Sequence, residues 1–202
     1  MRRVLISLSI GLLGLVIGVA SSLWTAGLTR WGATFHLTNI NIVGWTSDWS
    51  IGSSSANAYV RARVARHGLL ALEKEEAVYF TRNTDDLGRP LSEACTYRLT
   101  GQEQDAYWWS ITLYDEESRL PMNSDGALSI DATTIGEAET WTAAIAAVKP
   151  EDSASWISSK NAGAFDLTLR IYRPSAAVLE SPEVGIKPPS VRRVSCVEEV
   201  AS

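Results

Sequence analysis

The chain begins Met1-Arg2-Arg3 and then carries no charge from Val4 until Arg30. An apolar run of roughly 20 residues, ending near Trp24, has the length a helix needs to cross the hydrocarbon of a bilayer. Residues 1–24 are therefore expected to form a single transmembrane anchor, with Arg2 and Arg3 favouring a cytoplasmic N-terminus. A cleaved signal peptide is the competing reading, because Gly18-Val19-Ala20 followed by Ser21 and Ser22 places small residues where a peptidase needs them. Against it, a signal h-region is ordinarily about 7–15 residues, and this run continues through Leu23 and Trp24. Either way the rest of the chain belongs outside the cytoplasm, and the anchor reading gives a single-pass inner-membrane protein with its C-terminal domain in the periplasm. Gly14 and Gly18 form a small-xxx-small pair that suits helix association, although glycine is common in membrane helices anyway.

Beyond the anchor lie about 170 residues, one domain's worth and enough for a core of its own. The chain has 18 basic and 23 acidic side chains, and two of the basic ones lie in the anchor. The remainder is thus net acidic, which makes nucleic acid and anionic lipid surfaces poor candidate partners. Cys95 and Cys196 have no neighbouring cysteine or histidine at metal-ligand spacing. In an oxidising compartment they read as one disulfide closing a long loop; the alternative is a pair of buried free thiols.

Residues 25–55 read as a juxtamembrane connector with one short strand near 35–43, and residues 56–202 as a periplasmic β domain. Ser53-Ser54-Ser55 offers N-cap chemistry for a helix over Ala56 to His67, stopped by Gly68. From there strands are expected near 77–81, 95–100 (ended by Gly101), 107–114, 128–130, 141–148, 165–172 and 191–197, with a turn at 83–90. The strand over 107–114 sets Tyr107, Trp109, Ile111 and Leu113 against Trp108, Ser110, Thr112 and Tyr114, so one side of it must face a core. The fold class is mainly β: an antiparallel β-sandwich or jelly-roll-like domain with one short helix, preceded by a single N-terminal transmembrane helix.

Several blocks carry a resemblance: Ala58-Tyr59-Val60-Arg61-Ala62-Arg63, Glu76-Ala77-Val78-Tyr79-Phe80, Cys95-Thr96-Tyr97-Arg98-Leu99-Thr100-Gly101, Trp108-Trp109-Ser110-Ile111-Thr112-Leu113-Tyr114-Asp115 and Phe165-Asp166-Leu167-Thr168-Leu169-Arg170-Ile171-Tyr172-Arg173-Pro174. In this order, over residues 57–196, they resemble the domain of unknown function 1214 family in its short, membrane-anchored bacterial form. The resemblance implies a mostly antiparallel β domain in the cell envelope of a Gram-negative bacterium. Longer relatives carry a second uncharacterised domain that this chain has no room for, and the family supplies no catalytic residues to carry over.

The residues themselves identify no catalytic group, metal site or cofactor. His36 and His67 each stand without a second histidine nearby, and Asp115-Glu116-Glu117 lacks the alternating ligands of a calcium loop and reads as a solvated turn. Ser110 has no nucleophile elbow around it. The constellation with chemical content is Trp108, Tyr114, Arg170 and Tyr172, which would share a face if the strands over 107–114 and 165–172 are neighbours. Aromatic walls with one cation suit a small anionic or ring-bearing ligand, while the bland reading is sheet packing with an arginine laid over rings. Asp166 is expected to pair with Arg98 or Arg170 across strands. The leading functional expectation is a non-enzymatic binding or accessory module at the inner membrane, working with a membrane-protein partner or by self-association. The alternative is an envelope enzyme or small-ligand-binding protein using the Trp108–Arg170 cleft.

Overall fold

The computed structural model describes residues 2–25, 40–49, 51–52, 58, 61, 72–136 and 138–197. Arg2–Thr25 is one α-helix, α1. Among the described residues no helix is long and apolar enough to cross a membrane. The anchor expected over residues 1–24 is met as a helix, Arg2–Thr25. The helix expected over 56–67 lies outside the described residues, apart from helical backbone at Ala58 and Arg61.

The described body is built from two sheets. The larger contains β1 (Ile40–Ile42), β2 (Trp45–Ser47), β3 (Ala77–Arg82), β5 (Ala106–Asp115), β6 (Ser129–Asp131) and β9 (Phe165–Pro174), in the order β1-β2-β3-β9-β5-β6. Every pairing in it is antiparallel. The smaller sheet runs β10-β4-β7-β8, from β4 (Cys95–Gln102), β7 (Thr140–Ala146), β8 (Trp156–Ser158) and β10 (Ser190–Cys196). Three short helices complete the described body: α2 (Ala132–Ile135), α3 (Ala176–Glu180) and α4 (Pro182–Gly185).

Alternation along the strands decides which sides meet. On β5, Trp109, Ile111 and Leu113 are buried; on β9, Leu167, Leu169 and Ile171; on β4, Tyr97 and Leu99; and on β7, Trp141, Ala143 and Ile145. All belong to one hydrophobic cluster. Trp109 of the larger sheet stacks on Trp141 of the smaller at 4.9 Å between ring centroids, and Tyr97 meets Phe165 edge-on at 5.9 Å. The two sheets therefore close face to face on a shared core, as alternation with a period of two demands.

Several details differ from the sequence expectation. The sheets are not wholly antiparallel, because β7 and β8 pair in parallel over three residues. The link between them is short for a parallel crossover, and it suffices because only the end of β7 is paired. Trp156 Nε1 donates to the Ala146 carbonyl at 2.9 Å and the Ala144 N–H to Ser155 at 2.9 Å, so the loop is pinned back onto the strand it left. Gly101 does not end β4 but lies inside it, buried, where a Cβ would stand 2.2 Å from the Trp141 ring. Glycine is required there so that the indole can lie against the β4 backbone. Tyr107 does not join the buried side of β5; it lies at the strand's start, 77% exposed, with the Arg173 guanidinium over its ring at 5.1 Å.

The expected disulfide between Cys95 and Cys196 is present and joins directly opposed residues of β4 and β10, in place of the alternative of two free thiols. The turn after β3 holds the same strand from the other side. Asp86 accepts the Val191 N–H at 2.9 Å and donates its own N–H to the Val191 carbonyl, while its Oδ1 binds the buried Arg82 guanidinium at 2.9 Å. Asp85 accepts N–H groups from Leu87 and Arg89 and pairs with the Arg89 guanidinium at 2.8 Å. Burial alone would raise its pKa, yet those donors outweigh it and hold the carboxyl below its ordinary value.

Candidate functional site

β9 lies between β3 and β5, and its register fixes which outward side chains become neighbours. Trp108 stands opposite Tyr172, Ser110 opposite Arg170, Thr112 opposite Thr168 and Tyr114 opposite Asp166, while Tyr79 of β3 stands opposite Arg170 from the other side. All of these project from the face of the larger sheet that turns away from the core. The four residues singled out from the sequence, Trp108, Tyr114, Arg170 and Tyr172, are therefore brought onto one face.

Their polar atoms are engaged with one another. Arg170 Nη1 donates to Thr112 Oγ1 at 3.0 Å, Nη2 donates to the Tyr114 hydroxyl, and the guanidinium carbon lies 5.4 Å from the Tyr114 ring centroid. Trp108 and Tyr172 rings meet at 5.3 Å, and the Trp108 indole N–H donates to Thr133 Oγ1 of α2 at 3.0 Å. The acceptor is held because Asp131 caps α2 reciprocally with Thr134. Ser110, Thr168 and Tyr79 are buried on this face, although it is the outward one. An arginine tied to a hydroxyl, a phenol and a ring is a rigid element, with its charge spread over neutral acceptors.

Asp166 makes no ion pair with Arg98 or Arg170 among the described residues, correcting the cross-strand expectation. Arg98 belongs to the other sheet, in β4, and Arg170 is taken by Thr112 and Tyr114. Burial pushes the Asp166 carboxyl up to about 7; a weak bond from Thr168 opposes this, the nearby Asp115 charge adds to it, and Arg170 partly offsets it. Tyr79 is also shifted upward, first by burial and then by Tyr172. The face thus carries a carboxyl that changes charge near neutrality beside a fixed guanidinium, an arrangement that can respond to pH or exchange a proton with an adjacent group.

A concavity among the described residues lies elsewhere. The start of β5, the link after β4, α2 and the start of β7 border an open concavity of about 330 Å³, lined by Ala106, Tyr107, Trp109, Ala132, Ile135 and Trp141 among others. It opens on the opposite side of β5 from Trp108. Sequence reasoning missed it because its walls come from segments far apart in the chain, and the usable signal was the large-to-small contrast between the two tryptophans and the alanines. Among the described residues no group of three or more His, Cys, Asp or Glu side chains gathers to hold a metal ion. His36 and His67 lie outside the described residues. Asp115, by contrast, accepts the N–H groups of Glu117 and Arg119 as a turn residue does.

A disulfide-bonded domain of two facing sheets, with Trp108, Tyr114, Arg170 and Tyr172 on one face of β5 and β9, is the class these features define. The chain belongs to a family of proteins of unknown function, DUF1214, which it matches over residues 76–176, from the start of β3 to the start of α3. No curated protein matches it. A crystal structure of a protein from Vibrio parahaemolyticus is similar, with 21% identity and a TM-score of 0.55 over 70% of this chain and 36% of that one. A putative uncharacterized protein from Burkholderia cenocepacia aligns with 12% identity and a TM-score of 0.40, over 58% of this chain and 29% of that one. This chain spans about a third of the length of these solved proteins, and the first likeness speaks for the fold alone.

Proposed function

We propose that this protein is a membrane-tethered binding or accessory module of the bacterial envelope, with α1 as the tether and the two-sheet domain held on the periplasmic side. The observation that carries the reading is the surface of α1. Large apolar side chains all round it are exposed, including Ile10, Leu12, Leu13, Leu15, Val16 and Ile17. A helix apolar on every side is stable only when something apolar encloses it, and the uncharged run from Val4 to Trp24 makes lipid the fitting enclosure. The disulfide agrees with an oxidising compartment. The module reading, as opposed to an enzyme, rests on the outward face of β5 and β9, where the Arg170 guanidinium and the Trp108 indole N–H already donate to protein acceptors.

The test is alkaline carbonate extraction of membranes bearing the full chain or its Leu13→Arg/Val16→Arg variant. Two charges in mid-helix cost about 5–7 kcal/mol of insertion on the translocon scale. The native chain is expected in the pellet and the variant in the supernatant; native chain found in the supernatant refutes the tether. The accessory role is read by light scattering of the detergent-purified chain, where a mass above one protein copy per micelle supports it and a bare monomer opposes it.

A further inference from the structure

We propose that Arg98 and Arg192, side by side on the outward face of the smaller sheet, form a binding site for a phosphate monoester, carried either by a small soluble molecule or by a lipid headgroup. The site belongs to the two-sheet domain and stands whether or not α1 lies in a membrane. The pairing of β4 with β10 sets Arg98 directly opposite Arg192. Both are exposed, whereas the alternate positions Tyr97, Leu99 and Val191 are buried in the core. Their side chains therefore leave the same face from points about 5 Å apart.

Like charges opposed in this way are destabilising, and a sheet ordinarily offsets them with a carboxylate across a strand or on a diagonal. Here none is supplied. The flanking outward positions are Ser190, Thr100 and Thr142 in one row, Thr96 on the other side and Ala144 beyond Arg98. Among the described residues neither arginine makes an ion pair. The next arginine along β10 shows the contrast: Arg193 lies 3.2 Å from Asp85, donates to the Pro90 carbonyl at 2.7 Å and covers the Tyr97 ring at 5.6 Å. That cation serves the fold, while Arg98 and Arg192 are left for an anion from outside.

The arrangement also selects the anion. A carboxylate has two oxygens, which one guanidinium fork satisfies. Two forks approaching from opposite sides suit the three terminal oxygens of a phosphate monoester, with the Thr100 hydroxyl beside them as a further donor. Ala144, next in the row after Arg98, is small and leaves room over the sheet for the rest of the ester. The net acidity of the domain does not oppose this, because it is summed over the whole surface, while charges in the open are screened beyond about 8 Å.

The test is phenylglyoxal labelling of the full chain in dodecyl maltoside micelles, read by peptide mass spectrometry. Arg119, exposed and paired with Glu117 at 2.6 Å, is the internal control. Millimolar inorganic phosphate or glycerol 3-phosphate is expected to slow labelling of Arg98 and Arg192 about threefold or more and to spare Arg119, whereas acetate at equal ionic strength protects neither. Arg192→Lys, which keeps the charge and removes the fork, is expected to abolish most of the protection at Arg98. Labelling of the pair that no phosphate probe slows, or slowing shared equally by Arg119, by acetate or by the Arg192→Lys variant, overturns the site. The source is read in nanodiscs without added phosphate: protection by phosphatidate over phosphatidylcholine alone supports a lipid headgroup, and protection by the soluble probes alone supports a soluble ester.

Discussion

Among the described residues, Asp166 carries a carboxyl shifted well above its free form. In the folded chain its carboxyl keeps a proton up to about pH 7, whereas in the unfolded chain it loses that proton near pH 4. Between those values the folded state binds more protons than the unfolded one, so stability falls as pH rises through the window and levels off above it. Asp166→Asn is expected to flatten the dependence of melting temperature on pH between about 4 and 7 and to raise the melting temperature at pH 8. An unchanged slope would show that the carboxyl is ionised in the folded protein. Gly101 makes a prediction of opposite sign: Gly101→Ala drives a methyl group into the Trp141 ring and is expected to cost about 3 kcal/mol in denaturant unfolding. Val43 stands at φ 50° and Gly44 at φ 85° in the two-residue turn joining β1 to β2, and Val43 is 77% exposed. A β-branched residue gains nothing there to offset the strain, so Val43→Asn is expected to stabilise by about 1 kcal/mol.

Among the elements, those with strong internal patterns were readable. The strand over 107–114 and the strand over 165–172 declared themselves by alternation, and their pairing puts Trp108, Tyr114, Arg170 and Tyr172 on one face, as expected for neighbouring strands. β2 and β8 were not readable, because three residues are too few for a period and both are held by neighbours: β2 by hydrogen bonds to β1, β8 by the pinned loop after β7. Gly101 misled for a related reason, since a glycine read locally signals an end, and what requires it here is the indole of Trp141, remote in the chain. The concavity was invisible for the same cause. β10 is the element with most depending on remote contacts, being an edge strand joined to β4 by the disulfide and to the turn after β3 by Asp86. Cys95→Ala/Cys196→Ala is expected to lower stability by about 2–4 kcal/mol and to speed hydrogen exchange selectively along β10. Equal stability of the two forms would mean that the Asp86 contacts and sheet pairing suffice to hold the strand.

For the whole molecule, a helix with apolar side chains on all sides is joined to a disulfide-bonded domain that belongs to a family of unknown function. On the proposed reading the two parts make opposite demands on their surroundings, one for an apolar enclosure and one for an oxidising aqueous compartment, and a periplasmic membrane surface would supply both. Protease accessibility in a Gram-negative host expressing the full chain tests that arrangement most directly. Protease added to intact spheroplasts is expected to remove the two-sheet domain while a cytoplasmic control survives, with the N-terminal fragment staying in the membrane. A domain protected in intact spheroplasts and cleaved only after lysis would contradict the arrangement.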